Sequence, residues 1–196
     1  MPLNKKLPRI FLICLLIAVV VFSVLVAASY LPRRVQQDFL GIELLMTGEN
    51  ESEILQAVDI RIDGQIRNRI FAAYPRFDGL IEGSGYGFTM NNPNLTVPFI
   101  NGFSMGGSMM YPVLERGATR IESLGWLYTN EDFSSFVIHI TEWVALGGGT
   151  YQGQQSNRVI VAPATDADVA IELLNLHRFF WSDEFGVMRY SERENR

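Results

Sequence analysis

The chain has 196 residues, 48% of them hydrophobic and 19% charged, with 16 basic residues, 21 acidic residues, two histidines and one cysteine. A single cysteine excludes an internal disulfide and a thiolate metal centre, and the net charge of −5 makes nucleic acid a poor partner.

The first element is apolar. Positions 10–28 read IFLICLLIAVVVFSVLVAA, nineteen residues without a charge. As a helix they reach about 28 Å, close to the roughly 30 Å hydrocarbon core of a bilayer, with every backbone group satisfied internally. A cleaved secretory signal competes with this reading, because positions 26–29 are small or tolerable to a signal peptidase. The hydrophobic region of such a signal runs about 7 to 15 residues, so the length favours an uncleaved signal-anchor. Lys5, Lys6 and Arg9 precede the span and Arg33 and Arg34 follow it. With the α-amino group added, the positive-inside balance places the N-terminus in the cytoplasm and the remainder outside. The expected organisation is a cytoplasmic tail over 1–9, a transmembrane anchor over 10–31, a juxtamembrane segment and loop over 32–53, and an extracytoplasmic domain over 54–190. Membrane lipid is then a partner through residues 10–31.

Beyond residue 34 lie 162 residues with 11 arginines, 21 carboxylates and neither lysine nor cysteine, a net charge of −10. That is one ordinary domain, and its average charge disfavours anionic lipid headgroups as well as nucleic acid. Positions 33–46 place Val35, Phe39, Ile42 and Met46 at helical spacing, with a strand over 39–46 as the alternative. From Ile54 the period becomes two: Val58, Ile60 and Ile62 alternate with Asp59, Arg61 and Asp63, and Asp63-Gly64 offers a tight hairpin. Further strands are expected over 79–89, 95–100, 108–114, 120–128, 135–143 and 158–162. The separators are Asp78-Gly79, Asn91-Asn92-Pro93, Asn101-Gly102, Arg116-Gly117 and Gly147-Gly148-Gly149. A helix over 165–180 closes the chain, opened by a capping box from Thr165 to Asp168, with Val169, Leu173, Leu176 and Phe180 as its apolar stripe. The fold class is mainly β with a C-terminal helix (α+β): an antiparallel sandwich, rolled sheet or partial barrel preceded by one transmembrane helix.

Candidate chemistry is sparse. His139 shares a strand face with Val137, Thr141 and Trp143 and reads as structural or surface, while His177 suits the end of a helix. Asp59, Asp63, Glu82 and Glu142 lie on or near strands where two of them could form a hydrolytic acid pair. The glycine-rich stretch 145–157 reads as a hairpin loop, since no Lys-Ser/Thr follows it. No catalytic residue, metal or cofactor is expected. Trp126, Tyr128, Trp143 and Tyr151 are the candidates for an aromatic binding groove.

The basic tail, the anchor, the phrase Phe77-Asp78-Gly79-Leu80-Ile81-Glu82-Gly83 and Val161-Ala162-Pro163-Ala164 before the final helix give a layout that resembles uncharacterised small single-pass membrane-anchored extracytoplasmic proteins of Gram-positive bacteria. The resemblance implies neither an activity nor a site residue. The expected function is a membrane-tethered extracytoplasmic accessory or protein-interaction module, not an enzyme, acting on another membrane or cell-envelope protein. The alternatives are a ligand-binding sensor or cell-wall-binding domain, and then an acidic-residue hydrolase.

Overall fold

Alternating apolar and polar residues dominate the chain after residue 32, and they fold as strands. The computed structural model describes residues 7–29, 31–48, 51–67, 75–90, 92, 95–99, 106–115, 118–130, 132–147, 150–177, 179–182 and 187–190. Helix α1 (Leu7–Ser29) is followed by β1 (Arg33–Met46), β2 (Ser52–Arg67), β3 (Arg76–Gly83), β4 (Leu95–Pro98), β5 (Gly107–Glu115), β6 (Ala118–Thr129), β7 (Phe136–Gly147) and β8 (Thr150–Ala162). Helix α2 (Ala167–Leu176) and a small hairpin of β9 (Phe179–Ser182) and β10 (Val187–Tyr190) come last.

The first eight strands form one antiparallel sheet in the order β4-β3-β2-β1-β8-β7-β6-β5. They are two meanders of four strands, zipped together where Ile42 to Leu45 of β1 pair with Val161 to Arg158 of β8. A bridge between Phe99 and Gly107 narrows the remaining seam between β4 and β5, leaving a nearly closed barrel. Closure removes the unpaired edges that would otherwise recruit other strands.

Strand alternation sends one set of side chains inward. Val35, Val58, Ile60, Ile62, Ile81, Leu127, Phe136, Ile138 and Ile160 belong to this interior core. An eight-stranded barrel is narrow enough for its own side chains to pack across it, and these form one buried cluster. Tyr111 is fully buried there and donates its hydroxyl to the carbonyl of Ile81 at 2.9 Å. Phe77, Phe99 and Phe133 pack ring on ring at one end, with centroids 5.5 and 6.0 Å from Phe133. Each such burial contributes about 1.5–3 kcal/mol.

The outer face of β1, β6, β7 and β8 carries a second core. Ile42, Leu44, Tyr128, Val137, Val159 and Val161 lie beneath Ala170 and Leu174 of α2 and Phe179 of β9. Both histidines stand at this joint. His139 is 1% exposed, donates from Nε2 to the Ser156 carbonyl at 2.7 Å, and meets the Phe179 ring edge to face at 5.6 Å. Among the described residues its buried Nδ1 meets no hydrogen-bond partner, so protonation would place a charge there at a cost. His177 meets the Ser135 hydroxyl at 3.1 Å.

Several expectations change on this scaffold. The segment 33–46 is a strand at the middle of the sheet, not a helical juxtamembrane link. Its four-and-three spacing arises because both faces are buried: Val35 and Phe39 point into the barrel, whereas Ile42 and Met46 point toward α2. Asp63-Gly64 is not a turn, because β2 runs straight through it and Gly64 pairs with Gly79 of β3. A Cβ on Gly64 would strike the Phe77 ring and come within 2.6 Å of the Asp78 carbonyl, so the glycine is there for close strand approach. Asp78-Gly79 likewise lies within β3, which ends at Gly83 before a short 3-10 turn, Gly87–Thr89. The cap of α2 is Asp166, whose carboxylate accepts from the Val169 amide at 3.0 Å, while Thr165 donates to that carboxylate. The helix stops at Leu176, with Ala170 and Leu174 buried and Val169 and Leu176 exposed. Phe180 falls in β9, where the aromatic run favours a strand. The stretch 145–157 belongs to the long β7–β8 hairpin, in which Gly147 pairs with Thr150. Asn91, Pro93, Asn101, Gly102, Arg116, Gly117, Gly148 and Gly149 lie outside the described residues.

The expected span over 10–31 corresponds to α1, a helix of 23 residues. Among the described residues no helix is long and apolar enough to cross a membrane; the side chains of α1 are described at 12–24, 26 and 27. Those side chains include Leu12, Leu16 and Phe22, exposed by 64%, 62% and 69%.

Replacing Gly64 with alanine is expected to destabilise the domain by about 1–3 kcal/mol, read as a lower denaturant midpoint at unchanged slope. Burial lowers the pKa of both histidines in the folded state, so the unfolded chain binds protons first as the pH falls. Stability is therefore full above about pH 6.5 and falls below it, by up to about 1.4 kcal/mol per pH unit for each histidine. Urea titrations across that window are expected to show a shallower decline for His139→Asn than for the parent chain.

Candidate functional site

Two polar features stand out on the barrel, one inside its far mouth and one on its outer wall. The mouth cluster is built on β1, where the inward alternation that places Val35 and Phe39 in the interior brings Glu43 to the same face. Glu43 is fully buried. Its Oε2 accepts from Gln56 Nε2 of β2 at 2.7 Å and from the Tyr86 hydroxyl at 2.8 Å. Its Oε1 takes Arg158 of β8, with Nε at 2.7 Å and Nη2 at 2.5 Å. Arg158 also reaches Glu142 of β7 through Nη1 at 3.5 Å.

Every lone-pair direction of Glu43 is thus engaged, which offsets the cost of burying a polar group so deeply. Burial, followed by the Glu43 hydrogen bond and charge, pushes the Tyr86 hydroxyl well above its ordinary value, so it stays a proton donor. Arg158 is held as a cation by Glu43 against the opposing effect of its burial. With both its lone pairs and its charge satisfied, this cluster locks β1, β2, β7 and β8 together at the mouth.

The second feature is an open cleft of about 450 Å³ across the outer wall of β1, β2 and β3. Outward alternation supplies Asp38 and Leu40 from β1, Asp59 and Arg61 from β2, and Glu82 and Ser84 from β3 and its turn, with Met90 at one side. Asp38 stands opposite Arg61, and Arg61 opposite Glu82, giving an acid–base–acid row across three strands. The turn is pinned by a reciprocal pair: the Asp59 amide donates to Ser84 Oγ at 2.8 Å and the Ser84 amide to the Asp59 carbonyl at 2.9 Å. Leu40 and Met90 are 47% and 49% exposed, so the cleft joins carboxylates to open apolar surface. α2 packs over β8, β7 and the later half of β1 and also touches β2, so the cleft lies beside the helix, and the Ala164 amide ahead of α2 donates to the Leu40 carbonyl at 3.0 Å.

Of the four carboxylates considered for acid-pair chemistry, Asp59 and Glu82 share the cleft. Asp63 meets Arg34 at 3.4 Å, and Glu142 is at the mouth with Arg158. Among the aromatic candidates, Tyr128 is buried edge to face against Phe179 at 4.7 Å and Trp126 is partly buried against the same core. They pack the joint beneath α2. The side chains of Trp143 and Tyr151 lie outside the described residues. Among the described residues no group of histidine, cysteine and carboxylates has the arrangement to hold a metal ion. Sequence reasoning missed Glu43 and Arg158, which lie 115 positions apart. The available signal was a charged residue on the same face as Val35 and Phe39. No protein-family model, curated protein or solved structure matches this chain.

Removing Arg158 alone, as Arg158→Met, leaves Glu43 buried and unpaired and is expected to cost about 3 kcal/mol in chemical denaturation. The double variant Glu43→Leu/Arg158→Met removes both charges and is expected to recover at least half of that loss.

Proposed function

We propose that the chain is a membrane-tethered, extracytoplasmic accessory module that binds another protein of the cell envelope through the outer wall of β1, β2 and β3. The observation that carries this reading is the open cleft on the outside of the barrel, where Asp38, Asp59, Arg61 and Glu82 adjoin the exposed Leu40 and Met90. An open concave surface with polar groups beside apolar ones is the kind of feature through which a domain recognises a partner. The exposed apolar faces of α1 support the tether, since a helix bearing Leu12, Leu16 and Phe22 toward water on every side finds its stable place in lipid. The basic residues ahead of it favour a cytoplasmic N-terminus.

The alternative, a sensor or cell-wall-binding domain built on an aromatic groove, loses two of its four residues to the core beneath α2. Among the described residues that line the cleft Phe39 is the one aromatic, and its ring packs against Phe136 of the interior core.

Fractionation of cells producing the tagged chain tests the proposal. The expected outcome is a protein that resists carbonate and dissolves in detergent, with a domain cut by protease added to intact cells. A photo-crosslinking residue at Leu40 is expected to capture one defined envelope protein, and Asp59→Lys to reduce that capture at least fivefold. Release by carbonate, or protection from external protease, would overturn the tether or its orientation.

A further inference from the structure

The two ends of the barrel differ in charge. The end at which β1 begins carries Arg33 and Arg34, Arg67 at the close of β2 and Arg76 at the start of β3. The register brings them together, because Arg33 pairs with Ile66 beside Arg67, and Arg67 pairs with Arg76. Three carboxylates answer these four cations. Asp63 meets Arg34 at 3.4 Å, Asp78 Oδ2 is shared by Arg76 at 2.9 Å and Arg67 at 3.3 Å, and Asp132 lies within the field of Arg33. Among the described residues this rim therefore carries four cations to three carboxylates. Toward the opposite end, among the described residues, Glu43, Glu122 and Glu142 meet Arg158 or Arg120, and Glu51, Glu53 and Glu115 lie at the same end of the strands, so carboxylates outnumber cations there. The acidic domain is therefore polarised along its axis, and averaging its charge over the whole surface conceals this.

Chain length fixes which end meets the membrane. Four Cα steps separate Ser29, the last residue of α1, from Arg33, the first of β1. At 3.8 Å per step they reach no more than about 15 Å. The headgroup layer is itself several ångströms deep and charge is felt across a further 8 Å or so at physiological ionic strength. No conformation of the linker takes the arginine rim beyond that zone.

We infer that the barrel rim bearing Arg33, Arg34, Arg67 and Arg76 docks on the anionic headgroups of the bilayer that holds α1. This rests on the membrane-tethered reading above. Guanidinium forks suit phosphate oxygens, and Arg34 and Arg67 stand 67% and 46% exposed, free to add a phosphate to a long, single-oxygen carboxylate contact. The repelled acidic end points away from the surface. Docking sets the barrel upright and keeps the outer wall of β1, β2 and β3 open to a neighbouring envelope protein.

The test uses the full chain, in a Cys14→Ala background, reconstituted in phosphatidylcholine vesicles with and without phosphatidylglycerol. A fluorophore is placed at the rim through Gln65→Cys, or at the far end through Glu53→Cys, with a quencher on the lipid headgroup. Phosphatidylglycerol is expected to increase quenching at position 65 at least twofold while leaving position 53 unchanged. Each arginine removed is expected to weaken docking about fivefold. Arg33→Gln/Arg34→Gln should therefore return position 65 to its level in neutral vesicles, as should high salt. Arg67→Gln supplies an independent variant with the same expected direction if the double variant melts early. Equal quenching in both vesicle types, or quenching that neither variant alters, overturns the inference while the tether stands. A chain that fails to float with either vesicle overturns the tether and the docking together.

Discussion

The short ladder between β1 and β8 is the constraint on which the rest of this molecule depends. Each meander alone would be an open sheet with bare edges. Pairing Ile42 to Leu45 with Val161 to Arg158 makes them one nearly closed barrel. Glu43 and Arg158 sit within that seam, and their hydrogen bonds extend to Gln56 and Tyr86, so the polar lock is placed where the sheet must not slip. A one-residue shift would turn Glu43 toward α2 and Ile42 into the interior. The two cores on either side of β1 make such a shift doubly unfavourable.

The outer face of β1 is exposed as far as Leu40 and buried from Ile42 onward, so the barrel is asymmetric around its circumference. α2 and Phe179 cover the second core on β6, β7, β8 and the later half of β1, while the earlier half of β1 with β2 and β3 carries the cleft, its carboxylates, Leu40 and Met90. The two ends are asymmetric as well. Phe77, Phe99 and Phe133 plug the end nearest α1, and the Glu43 cluster closes the other. Among the described residues, the open cleft and the arginine rim therefore lie on different parts of the barrel, the cleft on its outer wall and the rim at the end from which β1 starts.

Much of this was legible in the order of residues. Alternation in 58–62, the strands over 95–100, 108–114, 120–128 and 135–143, and a helix beginning near 165 all follow from local chemistry, and β4 to β7 and α2 occupy those places. The errors have a common origin. Val35, Phe39, Ile42 and Met46 look helical only if one face is assumed to be buried, and Asp63-Gly64 looks like a turn only if no partner strand presses against Gly64. Phe180 extends a helical stripe in sequence, yet β10 gives it a strand partner in Arg189.

The candidate site divides the same way. Sequence by itself determined the apolar first helix, the charge of the remainder, the β character and the lack of cysteine chemistry, because these are sums or periodicities over neighbouring residues. Tertiary structure alone decided that Glu43 meets Arg158 and that Asp59 and Glu82 share a cleft. It also decided that Tyr128 supports a helix and that four arginines from three strands gather at one rim. Those relations depend on strand order and register, which are fixed by burying two faces of a sheet at once, and no local window of sequence contains that information.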